Sequence, residues 1–192
     1  MIILSFDVGI KNLAYCQVDS ITHDILDWNV IDCSVPKNQD VIVRLIEELE
    51  NNSNLLESEI ILIEKQPSFN PLMRIISTAI YVYFTLRLKY EQNKKIKIMY
   101  YSAKNKLKIC EKTESLQNKH NGMINGTIRG IKGKRKSYYY NKKAAIEQTK
   151  IFLENKIDEN QLFYNNFLKF FNSSKKKDDL ADCYLQALAY LS

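Results

Sequence analysis

The stretch SFDVGIKNLAYCQVD, Ser5–Asp19, contains the features that decide how this chain begins to fold. Residues 2–6, IILSF, predict a buried strand, which runs directly into Asp7 and then into the turn-forming pair Val8-Gly9. A second strand is predicted from Asn12 to Val18. A carboxylate at the end of an apolar strand has to be desolvated, capped or bound to a cation, so Asp7 is the first candidate functional residue.

The composition is that of a globular protein with a modest excess of positive charge. The chain has 192 residues, of which 45% are hydrophobic and 26% charged, so we expect a single domain spanning residues 1–192. The formal net charge of +6 favours a polyanionic partner such as nucleic acid. A basic surface without such a partner is the alternative.

Cysteine spacing and the length of the hydrophobic runs bear on the compartment. The four cysteines and two histidines are scattered and show no zinc-binding spacing, and a disulfide framework is implausible in a chain of this size. The sequence shows no signal peptide and no apolar run of membrane-spanning length. We therefore expect a soluble, intracellular protein of a reducing compartment, with no membrane association.

The order of the predicted elements is typical of an α/β protein. A third strand is expected at Ile25–Cys33, a helix behind Asp40 in NQDVIVRLIEELENN, and a strand buried on both faces at Ile60–Ile63. The later elements are a turn between Pro67 and Pro71, a long apolar helix at Leu72–Tyr90, a strand in KIKIMYYS, helices from about Ser137, and an amphipathic helix in DDLADCYLQALAYLS. This order predicts a mixed central sheet flanked by helices.

A basic, glycine-containing segment interrupts the pattern. Residues 111–135 contain four of the five glycines and lack periodicity, which predicts a long flexible loop. No acidic residue occurs between Glu114 and Glu147. Such a run is usually only a solvated face, but basic residues interleaved with aromatic ones suit phosphates and unstacked bases. The candidate DNA-binding residues here are Arg129, Lys132, Lys134, Arg135, Lys136, Tyr138, Lys142 and Lys143.

Two carboxylates share an unusual sequence context. Asp7 and Glu64 each end a short apolar strand, and if those strands are neighbours, the two acids emerge at one edge of the sheet. Two anions so placed repel each other unless a divalent cation lies between them, and oxygen ligands without His or Cys favour Mg²⁺ or Mn²⁺. The alternative is that Asp7 caps the turn at Val8-Gly9 and that Glu64 pairs with Lys65 or another base.

The segment KKKDDLAD, residues 175–182, contains further acids. Asp179 and Asp182 are three residues apart on a predicted helix and therefore share one face. Asp178 and Asp182 are four apart and would serve nearly as well, so periodicity does not choose between the two pairs. Acids in a first helical turn also favour the helix N-terminus without any further role, which is the alternative interpretation.

Four segments occur in the order and spacing of a known family. LSFDVGIKNLAYC, ILIEKQPSFNP, YYSAKNKLKI and KKKDDLADCYLQAL resemble the RuvC-like Holliday junction resolvases, most closely their poxvirus branch, which is similar to the fungal mitochondrial resolvases. The resemblance implies an RNase H-like fold and a homodimer that resolves four-way and branched DNA by Mg²⁺-dependent phosphodiester hydrolysis with paired nicks. It also implies a role in viral DNA recombination or concatemer processing in the host-cell cytoplasm.

The resemblance further implies a set of site residues. Two Mg²⁺ ions, with Mn²⁺ as a possible substitute, are expected among four essential acids, because two cations activate the water and relieve charge on the leaving oxygen. The segment 111–135 departs from the bacterial pattern, so its role does not transfer. Carried over residue by residue, the four acids and metal ligands are Asp7, Glu64, Asp179 and Asp182, and Lys106 lies at the position of the family's active-site lysine.

Some alternatives stay open at the level of sequence. Without the resemblance, Lys106 would be interpreted as a solvated lysine, and Phe69 is equally a wedge for an opened junction or a core aromatic. A catalytically silent nucleic-acid-binding protein would keep the basic segment but has no need of acids at two strand ends. An actin-like phosphotransferase shares the DVG hairpin, but it requires a second domain and a second glycine-rich loop that this sequence lacks.

Overall fold

Five strands form one sheet with helices on both faces, in a computed structural model of the chain. The structure describes residues 1–37, 39–106, 109, 134–157 and 161–192, without the side chains of residues 134–140 and 161–163. The strands are β1 Ile2–Asp7, β2 Leu13–Asp19, β3 Ile25–Ile31, β4 Ile60–Glu64 and β5 Lys97–Tyr101. The helices are α1 Val41–Asn51, α2 Pro71–Phe84, α3 Lys134–Ile157, α4 Gln161–Ser173 and α5 Lys177–Leu191, with a 3₁₀ helix at Ser53–Glu57 and a π-helix at Thr85–Glu91.

The strand order β3-β2-β1-β4-β5 places β1 at the centre of the sheet. Strands β1, β2 and β3 pair antiparallel, whereas β4 lies parallel to both β1 and β5. The turn between β1 and β2 requires Gly9, because a Cβ there would lie 2.5 Å from the carbonyl oxygen of Asn12. The mixed sheet expected from the order of elements is therefore confirmed.

Strands β1 and β4 are mostly apolar up to the acid that ends each of them, because helices cover both of their faces. On one face, Leu4 and Ile61 pack with residues of α1 and α2. On the other face, Ile3 and Leu62 pack with residues of α3, α4 and α5. Alternate residues of each strand thus enter opposite cores, as the two-residue period of a strand dictates.

An aromatic cluster fixes α5 against the sheet. Trp28 of β3 stacks on Phe171 of α4 with ring centroids 5.3 Å apart, and its indole Nε1 donates to the Leu180 carbonyl oxygen at 3.1 Å. Leu180 lies between Asp179 and Asp182 in the chain. The position of these two acids therefore depends on the packing of a tryptophan in a distant strand.

Most predicted elements are present, with boundaries shifted by a few residues. Asp40 caps α1 as predicted, since its side chain accepts from the Ile42 N–H. The helix predicted at Leu72–Tyr90 changes to a π-helix after Phe84. Helix α3 begins at Lys134, so the last two residues of the predicted loop are helical, and residues 110–133 lie outside the described part of the chain. Within the described residues, no helix has both the length and the apolar character to cross a bilayer.

Candidate active site

Asp7 and Glu64 lie at the same edge of the sheet. Strands β1 and β4 are parallel neighbours with Phe6 opposite Ile63, so the next residue of each ends its strand beside the other. Both acidic side chains are partly buried. The structure thus confirms the prediction that the two apolar strands are neighbours and bring their terminal acids together.

Helix α5 brings Asp182 to this edge. One helical turn further along, the buried Gln186 donates from Nε2 to Ser5 Oγ at 3.0 Å and to the Phe6 carbonyl oxygen at 3.2 Å. Residues four apart lie on one face of a helix, and Phe6 directly precedes Asp7. These hydrogen bonds therefore hold Asp182 at the end of β1. Gln186 was not among the predicted site residues, although its four-residue spacing from Asp182 places both on one helix face.

Lys106 lies between two of the acids. It stands in a helical turn after β5, and its Nζ lies 2.7 Å from Asp182 Oδ2 and 3.3 Å from Glu64 Oε1. The side chain is only 12% exposed, so this interaction is shielded from water. Gln66, which sequence reasoning also missed, donates from Nε2 to Glu64 Oε2 at 3.3 Å. This geometry excludes the interpretation of Lys106 as a solvated lysine.

Burial and mutual repulsion shift the pKa values of this cluster. Burial, followed by the charge of Glu64, raises the pKa of Asp7 well above its ordinary value. Burial also raises the pKa of Asp182, against the opposing charge of Lys106. Burial acts to raise the pKa of Glu64 as well, but the hydrogen bond with Asp7 and the Lys106 charge outweigh it and lower that pKa. The pKa of Lys106 is raised, because the acids outweigh the effect of its burial.

Asp178 and Asp179 have different surroundings. Asp178 forms an ion pair with Lys142 of α3, and the contact with Lys142 outweighs burial and lowers the pKa of Asp178. Asp179 lines the cleft that contains the other acids. Burial, followed by the charge of Asp178, raises the pKa of Asp179. Of the two helix pairs that periodicity left open, the folded chain therefore brings Asp179 and Asp182 together with Asp7.

The predicted acidic ligands and Lys106 line one cleft with a volume of about 610 Å³. Phe69 also lines it and is 85% exposed, which excludes the interpretation of Phe69 as a core aromatic. Lys176 lies 3.8 Å from Asp179 and, with the Asn12 amide oriented to satisfy its contacts, 3.2 Å from the Asn12 side-chain oxygen. The predicted catalytic residues Asp7, Glu64, Lys106, Asp179 and Asp182 all line this cleft.

The donor set of the cleft suits a hard cation. Its acids offer oxygen ligands, and no described His or Cys lines it. As the described side chains are placed, no three His, Cys, Asp or Glu residues stand close enough together to hold a metal ion. The Lys106 ammonium instead provides positive charge between Glu64 and Asp182. The residues thus fit Mg²⁺ in the chemistry of their oxygen donors.

The predicted DNA-binding residues are only partly covered by the described structure. Lys142 and Lys143 lie on α3, where Lys142 lines the cleft and Lys143 is exposed. Arg129 and Lys132 lie outside the described residues. The start of α3 contains Lys134, Arg135, Lys136 and Tyr138, whose side chains are not described.

Sequence comparisons match the chain to viral proteins. The sequence model of the family described as poxvirus A22 protein matches residues 1–111. An uncharacterized protein of Acanthamoeba polyphaga mimivirus is 33% identical over 154 residues, which cover 78% of this chain and 33% of that protein. The chain therefore spans about a third of the length of this curated relative.

Two solved structures share the fold over nearly the whole chain. The fowlpox virus resolvase, solved with its substrate Holliday junction DNA, is 22% identical with a TM-score of 0.53 and covers 100% of this chain and 97% of its own. The yeast mitochondrial Holliday junction resolvase is 19% identical with a TM-score of 0.60, and the match covers 98% of this chain and 78% of the yeast chain. The RNase H-like fold implied by the sequence resemblance is thereby confirmed. Because the matched residues 1–111 are more than half of the 192, the chain belongs to the poxvirus A22 protein family.

Proposed function

We propose that this chain is a structure-selective endonuclease that resolves four-way (Holliday) DNA junctions by metal-dependent phosphodiester hydrolysis with paired, symmetric nicks. The observation that carries the proposal is the convergence of Asp7, Glu64, Asp179 and Asp182 with Lys106 in one cleft of an RNase H-like fold. The family match and the two resolvase structures support the choice of substrate. In viral DNA recombination or concatemer processing, this reaction would take place in the host-cell cytoplasm.

The four acids are the proposed metal ligands. Asp7, Glu64, Asp179 and Asp182 would hold two Mg²⁺ ions, for which Mn²⁺ can substitute, because hard divalent cations prefer carboxylate oxygens. Bound there, such cations lower the pKa of water and relieve charge on the leaving oxygen. Strands β1 and β4 and the Gln186 hydrogen bonds keep the acids in place. In the hydrolysis, one P–O ester bond breaks, the hydroxyl of water ends on the phosphate, and its proton ends on the leaving oxygen.

Lys106 has two proposed roles in this reaction. Without a cation, its ammonium compensates the charge of Glu64 and Asp182 and so keeps the acids close together. With substrate bound, the same ammonium would neutralise charge that develops on the scissile phosphate. Its raised pKa keeps it protonated at neutral pH, as both roles require.

The proposed DNA surface combines an aromatic side chain at the cleft with basic residues of the chain. Phe69 is exposed beside the acids, so its ring is available to wedge between bases at an opened junction centre. The basic residues contact phosphates and confer affinity without sequence preference. This surface comprises Phe69, Arg129, Lys132, Lys134, Arg135, Lys136, Tyr138, Lys142 and Lys143.

A homodimer is the proposed active form. A four-way junction presents two equivalent strands, and a C₂ dimer supplies one acidic cleft to each. The solvent side of α2 and of the π-helix that follows it supports this proposal, because Leu72, Ile75, Val82 and Leu86 are exposed there. Together with the partly buried Ala79, they recur at alternating three- and four-residue spacing. The same residues Ile75, Ala79 and Val82 line a groove between α1 and α2. A second copy that packs its own α2 there would cover this apolar surface.

Purified protein, a mobile four-way junction and Mg²⁺ provide the test. We expect symmetric paired nicks that release two duplexes, and Asp7→Asn should bind the junction but not cleave it. Asp32→Asn, an exposed acid outside the cleft, is the matched control and should cleave normally. Junction binding without cleavage by the unmodified chain in Mg²⁺ or Mn²⁺ would favour the silent DNA-binding alternative. ATP hydrolysis without cleavage would favour the phosphotransferase.

A further inference from the structure

A second, smaller cleft lies beside the strand that carries Glu64. It has a volume of about 210 Å³ and is bounded by the end of β4, the first half of α2 and Tyr100 of β5. The backbone N–H of Lys65 donates to the Tyr101 carbonyl oxygen at 2.8 Å, so β4 geometry extends to Lys65. Because successive strand residues point to opposite faces, Lys65 faces this cleft while Glu64 faces the acidic one.

This second cleft is lined by cations and hydrogen-bonding groups. Lys65 and Arg74 are exposed, and neither forms an ion pair with a described carboxylate. No described Asp or Glu lines the cleft. Arg74, Ser77 and Thr78 share one face of α2, since they lie three and four residues apart. The remaining lining residues are Gln66, Ser77, Thr78 and Tyr100.

We infer that this cleft binds a backbone phosphate of the same DNA strand whose scissile phosphate enters the acidic cleft. Two cationic donors without an acid form a receptor for an oxyanion, and the guanidinium fork matches phosphate oxygens in particular. Tyr100 stacks on Tyr81 with centroids 5.7 Å apart, which gives the cleft a flat aromatic wall. The inference rests on the proposed function, because it assigns the cleft to the same DNA strand.

The subsite would position the strand for cleavage. Lys65 is the chain neighbour of Glu64, and consecutive Cα atoms are about 3.8 Å apart, so a phosphate held by Lys65 is fixed relative to that acid. Gln66 couples the two clefts, because it lines the basic one and donates to Glu64 Oε2 at 3.3 Å. Lys65 and Arg74 are therefore positioning residues, and neither contacts the reacting phosphate.

The test measures junction binding in EDTA, where no cleavage occurs. Lys65→Gln/Arg74→Gln is compared with Lys89→Gln/Lys95→Gln, which removes equal charge from exposed positions outside the cleft. For one lost phosphate contact, the slope of log K against log salt should fall in magnitude by about 0.9 in the first variant only. As a second measurement, one phosphate at a time near the junction centre is replaced by a neutral methylphosphonate. At one position, this replacement should weaken binding by the unmodified chain but not by Lys65→Gln/Arg74→Gln.

Three results would overturn the subsite. The first is an equal salt slope in the two double variants. The second is that every methylphosphonate weakens binding by the unmodified chain and by Lys65→Gln/Arg74→Gln to the same extent. The third is that Lys65→Gln/Arg74→Gln has a smaller mass in light scattering than the unmodified chain but the same salt slope. The last result would assign Lys65 and Arg74 to a contact between subunits. Failure of the unmodified chain to nick a junction in Mg²⁺ would instead overturn the proposed function, which the binding measurements in EDTA do not depend on.

Discussion

Lys106 Nζ lies 2.7 Å from Asp182 Oδ2, inside the cleft where Asp7 and Glu64 end their strands. The ammonium thus occupies the region in which a divalent cation would be held. In the proposed reaction, the ammonium would oppose metal binding, because it carries the same sign of charge as the metal. It would favour catalysis once it moved toward the scissile phosphate. Removal of the lysine is therefore expected to change metal binding and the cleavage rate in opposite directions.

Lys106→Gln should bind Mg²⁺ more tightly and cleave more slowly than the unmodified chain. Mg²⁺ should raise the melting temperature of the variant more than that of the unmodified chain, because the ammonium no longer competes with the metal. The single-turnover cleavage rate should fall by about 10²–10³-fold, as for loss of one electrostatic donor. Lys95→Gln, an exposed lysine outside the cleft, is the control for both measurements. A parallel loss of Mg²⁺ response and activity would mean that Lys106 only supports the fold.

Asp179→Asn should lose far more activity than Asp178→Asn. Asp179 lines the acidic cleft, whereas Asp178 pairs with Lys142. Loss of a residue that only supports a metal ligand typically lowers activity about 10–100-fold. We expect the activity of Asp179→Asn to fall by more than this, because Asp179 is itself a proposed ligand. Asp178→Asn should cost about 0.2–1 kcal/mol of stability through its partly exposed ion pair, measured by urea unfolding. The reverse order of activities would show that Asp178 is the ligand.

Junction affinity should fall steeply with salt because of the basic residues at the start of α3. Replacement of Lys134, Arg135 and Lys136 by Gln together should flatten the plot of log K against log salt by about 0.9 for each phosphate contact removed. Fluorescence anisotropy with a labelled junction in EDTA measures this slope. An unaltered slope would place the DNA elsewhere and leave these residues as a solvated face.

The dimer should depend on the exposed side of α2. Val82 is 47% exposed, so Val82→Glu should leave the fold intact while it places a charge in the proposed interface. Light scattering should then give a mass near 22.5 kDa for the variant and near twice that value for the unmodified chain. Ile21→Glu, at a site 82% exposed in the β2–β3 turn, is the control that should stay dimeric. A fully active monomer would exclude the dimer.

Stability should fall in acid partly through Asp24. Burial acts to raise the pKa of Asp24, but hydrogen bonds from Tyr164 at 2.6 Å and Lys156 at 3.3 Å outweigh it and lower that pKa. A lowered folded-state pKa stabilises the fold above the ordinary value of 3.8, and this contribution is lost as pH falls through the folded value. The urea midpoints of the unmodified chain and Asp24→Asn should therefore differ at pH 6 and converge in acid. A constant difference would exclude the linkage.

The elements of this fold follow from local patterns in the chain. Apolar runs at residues 2–6 and 60–63 predict strands buried on both faces, and the acids that end them were recognisable as candidates from sequence. Asp40 marks the start of α1, and the spacing of Asp179 and Asp182 places both on one helix face. Such features depend on neighbours within a few residues in the chain, so they can be predicted from the sequence.

The arrangement of the site depends on contacts between distant parts of the chain. Asp178 and Asp179 differ by about 100° around the helix, and the position of α5, set by Trp28 and Gln186, determines which of them faces Asp7. The pairing of Lys106 with Asp182 and the basic cleft at Lys65 likewise join separate elements. Local periodicity fixes which face of a helix or strand is apolar, but the partner of each polar side chain is settled by packing and sheet register, which form only when the whole core assembles.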